Sequence, residues 1–232
     1  MAKKKNILYQ FGADLVLGDA PLNRWDPQTT SKSGIKIVSG SKEDQLAKLR
    51  EAMENFNECS LKRTALNLVF SDGNPHAKVM LVGEAPGADE DRLGKPFVGM
   101  SGQLLTKIFQ TIGLKRETDL YITNVLPWRP PGNRQPTPQE VKQCLPFLHR
   151  HIAIIQPEVL VLVGGTATKA LFTDKEGITK IRGTWFDLPV PDLDRPITST
   201  AIYHPAYLLR SPLRKRDVWM DVLMIKDRIS KS

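Results

Sequence analysis

Three short apolar runs constrain this chain more than anything else in it. Val79-Met80-Leu81-Val82 stops at Gly83, Leu120-Tyr121-Ile122-Thr123-Asn124-Val125 runs into a proline-rich loop, and Val159-Leu160-Val161-Leu162-Val163 stops at Gly164-Gly165. Runs of this length, apolar without alternation, read as strands buried on both faces. Such strands belong to parallel sheets with helices on each side. A fourth, weaker strand is expected from Thr198 to Tyr203. Helical spacing fills the intervals. Ser41 caps a helix over about 42–57 that carries Leu46, Leu49, Met53 and Phe56, and Ser101 opens one that Gly113 closes. Thr137-Pro138-Gln139-Glu140 starts a helix reaching about Ile155, Thr166 starts another, and residues 214–229 make a C-terminal amphipathic helix. The expected fold is α/β: a central four-stranded parallel sheet flanked by helices on both faces. Pro21, Pro27, Gly34 and the polar run 28–33 break any period, so residues 1–40 read as an appendage, either partly disordered or draped over the domain through Leu15, Leu17, Leu22 and Trp25, ahead of a domain at 41–232.

Composition narrows the function. Lys and Arg total 33 against 25 for Asp and Glu, a net charge of +8, which suits a polyanionic partner such as nucleic acid. Two cysteines, Cys59 and Cys144, exclude a disulfide scaffold and fit a reducing, cytoplasmic setting. No apolar run approaches the ~20 residues of a membrane helix, and no secretory leader is evident. Asp14, Asp19 and the lack of early arginines count against a transit peptide.

In a parallel sheet of this kind, ligands bind beyond the carboxyl ends of the strands. The loops there carry the candidate chemistry. Gly83-Glu84-Ala85-Pro86-Gly87-Ala88-Asp89-Glu90-Asp91 is a tight, acidic turn that matches neither a phosphate loop nor a dinucleotide fingerprint. Its acids either favour a helix N-terminus or stabilise a cation. Phe97, in Gly94-Lys95-Pro96-Phe97-Val98-Gly99, is either a core aromatic or a slab on which a base stacks. Asn124 is either a turn cap or a carboxamide able to read both an N–H and a C=O on a pyrimidine edge. Gly164-Gly165-Thr166 is best explained as a structural turn. His204-Pro205-Ala206-Tyr207-Leu208-Leu209-Arg210 places an imidazole directly after a strand and two leucines before the cations Arg210, Arg214, Lys215 and Arg216. Apolar wedges flanked by phosphate-binding charge are what entry into a base stack requires.

Taken together, Gly83-Glu84-Ala85-Pro86-Gly87-x-x-Glu90-Asp91, Gly94-x-Pro96-Phe97-Val98-Gly99, Ile122-Thr123-Asn124, Arg129-Pro130-Pro131-Gly132-Asn133-Arg134 and His204-to-Arg210 resemble the uracil-DNA glycosylase superfamily, and within it family 4, over about residues 45–230. The resemblance implies a monofunctional DNA N-glycosylase of base excision repair that flips uracil out of single- or double-stranded DNA and hydrolyses its N-glycosidic bond. It implies Phe97 stacking on the base, Asn124 reading its edge, and Gly83, Ala85, Pro86 and Gly87 forming the turn around it. His204 stabilises the departing anion, Glu84, ahead of Glu90, supports the sugar cation or water, and Asn133 positions water or sugar. Leu208, Leu209 and Arg210 form the wedge, with Arg214, Lys215 and Arg134 on the DNA backbone. Ala85 stands where better-known members carry an aspartate.

One departure bears on cofactors. Family 4 holds an iron–sulfur cluster on four cysteines, but here Phe56 and Trp128 replace two of them, leaving Cys59 and Cys144. Two thiolates do not make a cluster site. The expectation is therefore no metal and no cofactor, with aromatic packing in the cluster's place, in a monomer. Val125–Gln143 contains no histidine, which disfavours the covalent DNA-linking branch. A broader specificity for deaminated purines and a non-catalytic DNA-binding member of the same fold stay open.

Overall fold

The computed structural model describes residues 40–172 and 177–231. Apart from Gly40, the expected appendage lies outside the described residues. The strands are β1 (Asp72–Gly73), β2 (Val79–Gly83), β3 (Leu120–Asn124), β4 (Val159–Val163), β5 (Phe186–Leu188) and β6 (Ile197–Ile202). The helices are α1 (Lys42–Asn55), α2 (Ala88–Leu93), α3 (Met100–Gln110), α4 (Arg116–Asp119), α5 (Pro138–Ile155), α6 (Gly165–Leu171), α7 (Ile178–Ile181), α8 (Pro205–Arg210) and α9 (Lys215–Ser230).

One sheet runs in the order β1-β3-β2-β4-β6-β5. Its four inner strands are parallel, as expected from their apolar runs. Two antiparallel edge strands, β1 and β5, extend it to six. They were not anticipated, because two or three residues show no period of two.

Alternate residues of each inner strand serve opposite layers. Met80, Val82, Leu160 and Leu162 join Leu46, Leu49 and Met53 of α1 and Leu148, Ile152 and Ile155 of α5 in one core. Val79, Leu81, Val159 and Val161 join Leu105 and Phe109 of α3 and Val218, Val222 and Ile225 of α9 in the other. All of β2, β3 and β4 is buried, and each such apolar side chain contributes ~1.5–3 kcal/mol by leaving water. Side-chain caps fix where two long helices begin. Ser41 Oγ accepts from the Asp44 N–H at 3.1 Å. Thr137 Oγ1 accepts from the Glu140 N–H at 3.2 Å, and Glu140 accepts the Thr137 N–H in return at 2.8 Å.

Parallel pairing delivers the candidate loops to one edge. Gly83 of β2 lies in register with Asn124 of β3, and Val163 of β4 with Ile202 of β6, two residues before His204. No helix among the described residues is long and apolar enough to cross a membrane.

Candidate active site

Glu84, Ala85, Pro86, Gly87, Glu90, Phe97, Asn124, Asn133, Arg134, His204 and Arg210 line one cleft of about 550 Å³, joined by Ser101, Pro130, Ala206 and Tyr207. The loops separated along the chain thus meet at the carboxyl edge of the sheet. Gly83 sits beneath the cleft, and a Cβ there would lie 2.4 Å from both the Asn124 Oδ1 and the Phe97 Cζ. Glycine at this position is what lets the ring and the carboxamide approach each other.

Phe97 is buried and holds a left-handed backbone, φ 52°. That conformation is unfavourable for an aromatic residue and needs outside support. Two features supply it. Gly102 of α3 has no side chain to strike the Phe97 carbonyl, which a Cβ would meet at 2.0 Å. Arg116 of α4 donates to the Phe97 carbonyl at 2.9 Å and also to the Pro96 carbonyl. Its Nε is anchored on Asp72 of β1 at 2.7 Å. Arg116, Asp72 and Gly102 escaped the sequence reading. Gly102 lies just past the Gly94–Gly99 motif and Asp72 and Arg116 lie outside the motifs, and nothing in their local spacing announces them.

His204 and Phe97 face each other with ring centroids 5.8 Å apart. The His204 Nδ1 accepts the Ala206 N–H at 3.2 Å, capping α8. A neutral imidazole in that arrangement carries its proton on Nε2. Burial, with a smaller contribution from Arg210, pushes the imidazole down to about 4, partly opposed by Glu90. At neutral pH the ring is therefore an uncharged donor. Its close seat also explains Gly164: φ is 97°, and a Cβ there would come within 2.9 Å of the His204 Cβ. The turn read as merely structural makes room for the imidazole.

The acids of the first loop separate by their partners. Asp89 pairs with Arg92 at the surface. Asp91 is buried and accepts the Leu66 and Asn67 N–H groups at 2.9 and 3.2 Å. Glu90 accepts three backbone N–H groups, from Gly87 at 3.1 Å, Val98 at 2.9 Å and Gly99 at 2.8 Å. It pins the loop that carries Phe97. Glu84 is half-buried in the cleft, and its carboxylate has no hydrogen bond or ion pair among the described residues. Within the turn, the Gly87 N–H is taken by Glu90 and Pro86 has none to give.

The remaining candidates divide. Asn124 is buried at the cleft floor, and no side-chain hydrogen bond engages it among the described residues. The Asn133 Oδ1 accepts from Arg129 Nε at 2.7 Å. Arg134 lines the cleft, but its guanidinium forks onto Glu140 at 2.6 and 2.9 Å, an ion pair that holds Glu140 at about 2. Arg210 and Lys215 are exposed with no ion pair among the described residues, while Arg214 pairs with Asp217 at 3.2 Å. Leu208 departs from expectation. It is fully buried, in the core that holds Phe109 and Val218, so it is a packing residue; Leu209 is 41% exposed.

The region corresponding to a cluster site is an aromatic plug. Phe56 stacks on Trp128 with centroids 6.4 Å apart and planes at 12°, and Phe147 meets Phe56 edge-on at 5.0 Å. Cys59 and Cys144 are buried with sulfurs 3.9 Å apart. The hydrogen bond shared with Cys59, and then burial, push the Cys144 thiol up. Two sulfurs beside packed rings do not fit an iron–sulfur cluster.

Comparison with known proteins agrees with this geometry. A family model described as the uracil DNA glycosylase superfamily matches residues 70–224. The chain belongs to the uracil DNA glycosylase superfamily. A type-4 uracil-DNA glycosylase of Archaeoglobus fulgidus is 41% identical over 187 residues, covering 79% of this chain and 92% of that protein. A type-4 uracil-DNA glycosylase of Thermotoga maritima is 39% identical over 196 residues, covering 82% of this chain and 98% of that protein. A type-5 uracil-DNA glycosylase of Thermus thermophilus is more distant, at 33% over 114 residues, covering 43% of this chain and 51% of that protein. The residues that line the cleft, from Glu84 to Arg210, all fall within the matched range.

Proposed function

We propose that this chain, a DNA N-glycosylase by family, hydrolyses the bond between uracil and deoxyribose in DNA. The carrying observation is that Phe97, Asn124, His204 and Glu84, which come from separate loops, line a single cleft. A duplex hides the bond, so the nucleotide must first leave the stack, at a cost of a few kcal/mol. The extruded base then lies on the Phe97 ring. The Asn124 carboxamide, unpartnered among the described residues, supplies one acceptor and two donors, which match the N–H and C=O of a uracil edge.

As the bond from C1′ to the base nitrogen breaks, its electron pair stays with uracil and the sugar becomes oxocarbenium-like. The neutral His204 donates from Nε2 to the base oxygen on which negative charge develops. A donor aimed at developing charge in a site of low dielectric is worth about 2.7–4 kcal/mol. Glu84, unengaged among the described residues, stabilises the sugar cation and orients the water, whose proton it accepts as oxygen bonds to C1′. Glu90 acts through the loop it pins and is a positioning residue. Arg210 and Lys215 grip the phosphate backbone. The donor set around Cys59 supports activity without an iron–sulfur cluster, Phe56 and Trp128 packing where two ligands would stand. The working species is a monomer.

Incubating EDTA-treated protein with oligonucleotides that contain one uracil, then cleaving with alkali, tests the reading. Scission at uracil, and none at thymine or cytosine in the same context, is the expected result; intact uracil strands would refute it.

A further inference from the structure

Two thiols lie in the core beside α5, and the excision chemistry gives them no work. Cys59 precedes the tight turn Ser60–Arg63, and Cys144 sits in the body of α5. Both are free and fully buried, in the core that also holds Trp128 and Leu148. The Cys144 S–H donates to the Cys59 sulfur across 3.9 Å, between residues 85 apart in the chain. That hydrogen bond does most to draw the Cys59 thiol below its ordinary range, helped by the Leu61 and Lys62 N–H groups and opposed by burial. Cys59 is therefore the partner that ionises first, and the thiolate is the form that reacts. It lies one residue below the surface, since Glu58 and Ser60 on either side are exposed. Its backbone is extended, φ −84° and ψ 120°, so its side chain can swing without disturbing a helical turn. The two segments are already in contact: Gln143 of α5 donates to the Glu58 carbonyl at 3.2 Å, and Phe147 of α5 meets Phe56 edge-on.

Sulfurs in contact at 3.9 Å need to approach by only about 2 Å to reach bonding distance. We propose that Cys59 and Cys144 form a reversible disulfide when the protein meets a peroxide. The Cys59 thiolate attacks one peroxide oxygen, the O–O bond breaks, and Cys59 becomes a sulfenic acid while the other oxygen leaves as water. The Cys144 sulfur then attacks the Cys59 sulfur, the S–O bond breaks, and the second oxygen leaves as water with the Cys144 proton. The two thiols lose two electrons, and the peroxide is reduced to two waters. The bond staples the segment after α1 to α5. The same helix carries Glu140, onto which the cleft residue Arg134 is forked, so the staple anchors the support of one cleft wall. In a reducing setting the bond lasts only while oxidant is present. The assignment does not depend on which base the cleft takes.

The test treats the full chain, first reduced and then freed of reductant, with a small excess of hydrogen peroxide. Intact mass, free thiols after denaturation, and melting temperature are followed. The mass should fall by two hydrogen atoms, both thiols should disappear, and a non-reduced digest should contain a peptide joining Cys59 to Cys144. The melting temperature should rise by about 5 °C or more, because closing so long a loop restricts the unfolded chain. Dithiothreitol should reverse every change. Cys59→Ala and Cys144→Ala should show no rise with peroxide, and the wild-type mass and digest read the bond whether or not either variant folds. Addition of oxygen in place of the loss of hydrogen, a disulfide between two chains, or two thiols left intact would overturn the assignment. A cross-link that left the melting temperature unchanged would overturn the staple.

Discussion

Adding one methyl group under the cleft, Gly83→Ala, probes whether Phe97 and Asn124 act as a matched pair. The new Cβ would sit 2.4 Å from the Phe97 Cζ and 2.4 Å from the Asn124 Oδ1. Both contacts fall about 1 Å inside ordinary carbon contact distance. Neither neighbour can retreat freely. The Phe97 backbone is wedged against Gly102 and hydrogen-bonded to Arg116, and Asn124 is the last residue of a buried central strand. Overpacking of this kind costs about 1–3 kcal/mol of stability, which a domain with two extensive cores survives. The catalytic cost should be larger, because displacing a reacting geometry by about 1 Å costs roughly a hundredfold, or about 2.7 kcal/mol in the transition state. Single-turnover excision of uracil from a single strand isolates this term from base flipping, and a thermal melt confirms the fold. A folded Gly83→Ala protein working within about twofold of wild type would show that the ring and the amide are not held in one constellation.

The other expectations concern the acids, the imidazole and the cluster region. Glu84→Gln should slow excision by about a hundredfold or more with the melting temperature unchanged, whereas Glu90→Ala should lower both, since three backbone N–H groups lose their acceptor; equal melting temperatures would contradict the division of roles. His204 titrates at about 4 in the folded protein against about 6.5 in an unfolded chain, so protonation favours unfolding and stability should rise with pH between those values. Buried His151, pushed to about 3, adds to the same trend from about 6.5 downward and carries it on to about pH 3. Single-turnover rates should accordingly hold down to about pH 5 and fall as pH passes through about 4, and a rate that fell with a midpoint near 6.5 would refute a neutral His204 donor. Purified protein should carry no stoichiometric iron or sulfide and should keep its melting temperature in EDTA; visible cluster absorption with matching iron would refute the aromatic replacement.

Much of this molecule was readable along the chain because the physics involved is local. A strand buried on both faces must be apolar throughout, so β2, β3 and β4 stood out, and the capping box at Thr137 marked the start of α5 to the residue. Loop chemistry placed after those strands converged because parallel topology sends all their carboxyl ends to one edge. What escaped depends on tertiary placement. Leu208 and Leu209 are neighbours on a six-residue helix and point about 100° apart, so one is core and the other faces solvent, and sequence does not say which. The carboxylates of the first loop look alike in sequence; only the folded loop commits Glu90 to three amides and leaves Glu84 unengaged. The support behind Phe97 joins α4 to the edge strand β1, a partnership between residues 44 apart that no motif encodes.

The central claim is that one cleft holds an extruded uracil among Phe97, Asn124 and His204. A crystal structure of the protein soaked with free uracil, the reaction product, tests it most directly. The base should lie flat on the Phe97 ring, with its edge on the Asn124 carboxamide and a ring oxygen substituent accepting from the His204 Nε2. Uracil bound elsewhere, or in the cleft without touching these three side chains, would contradict the account.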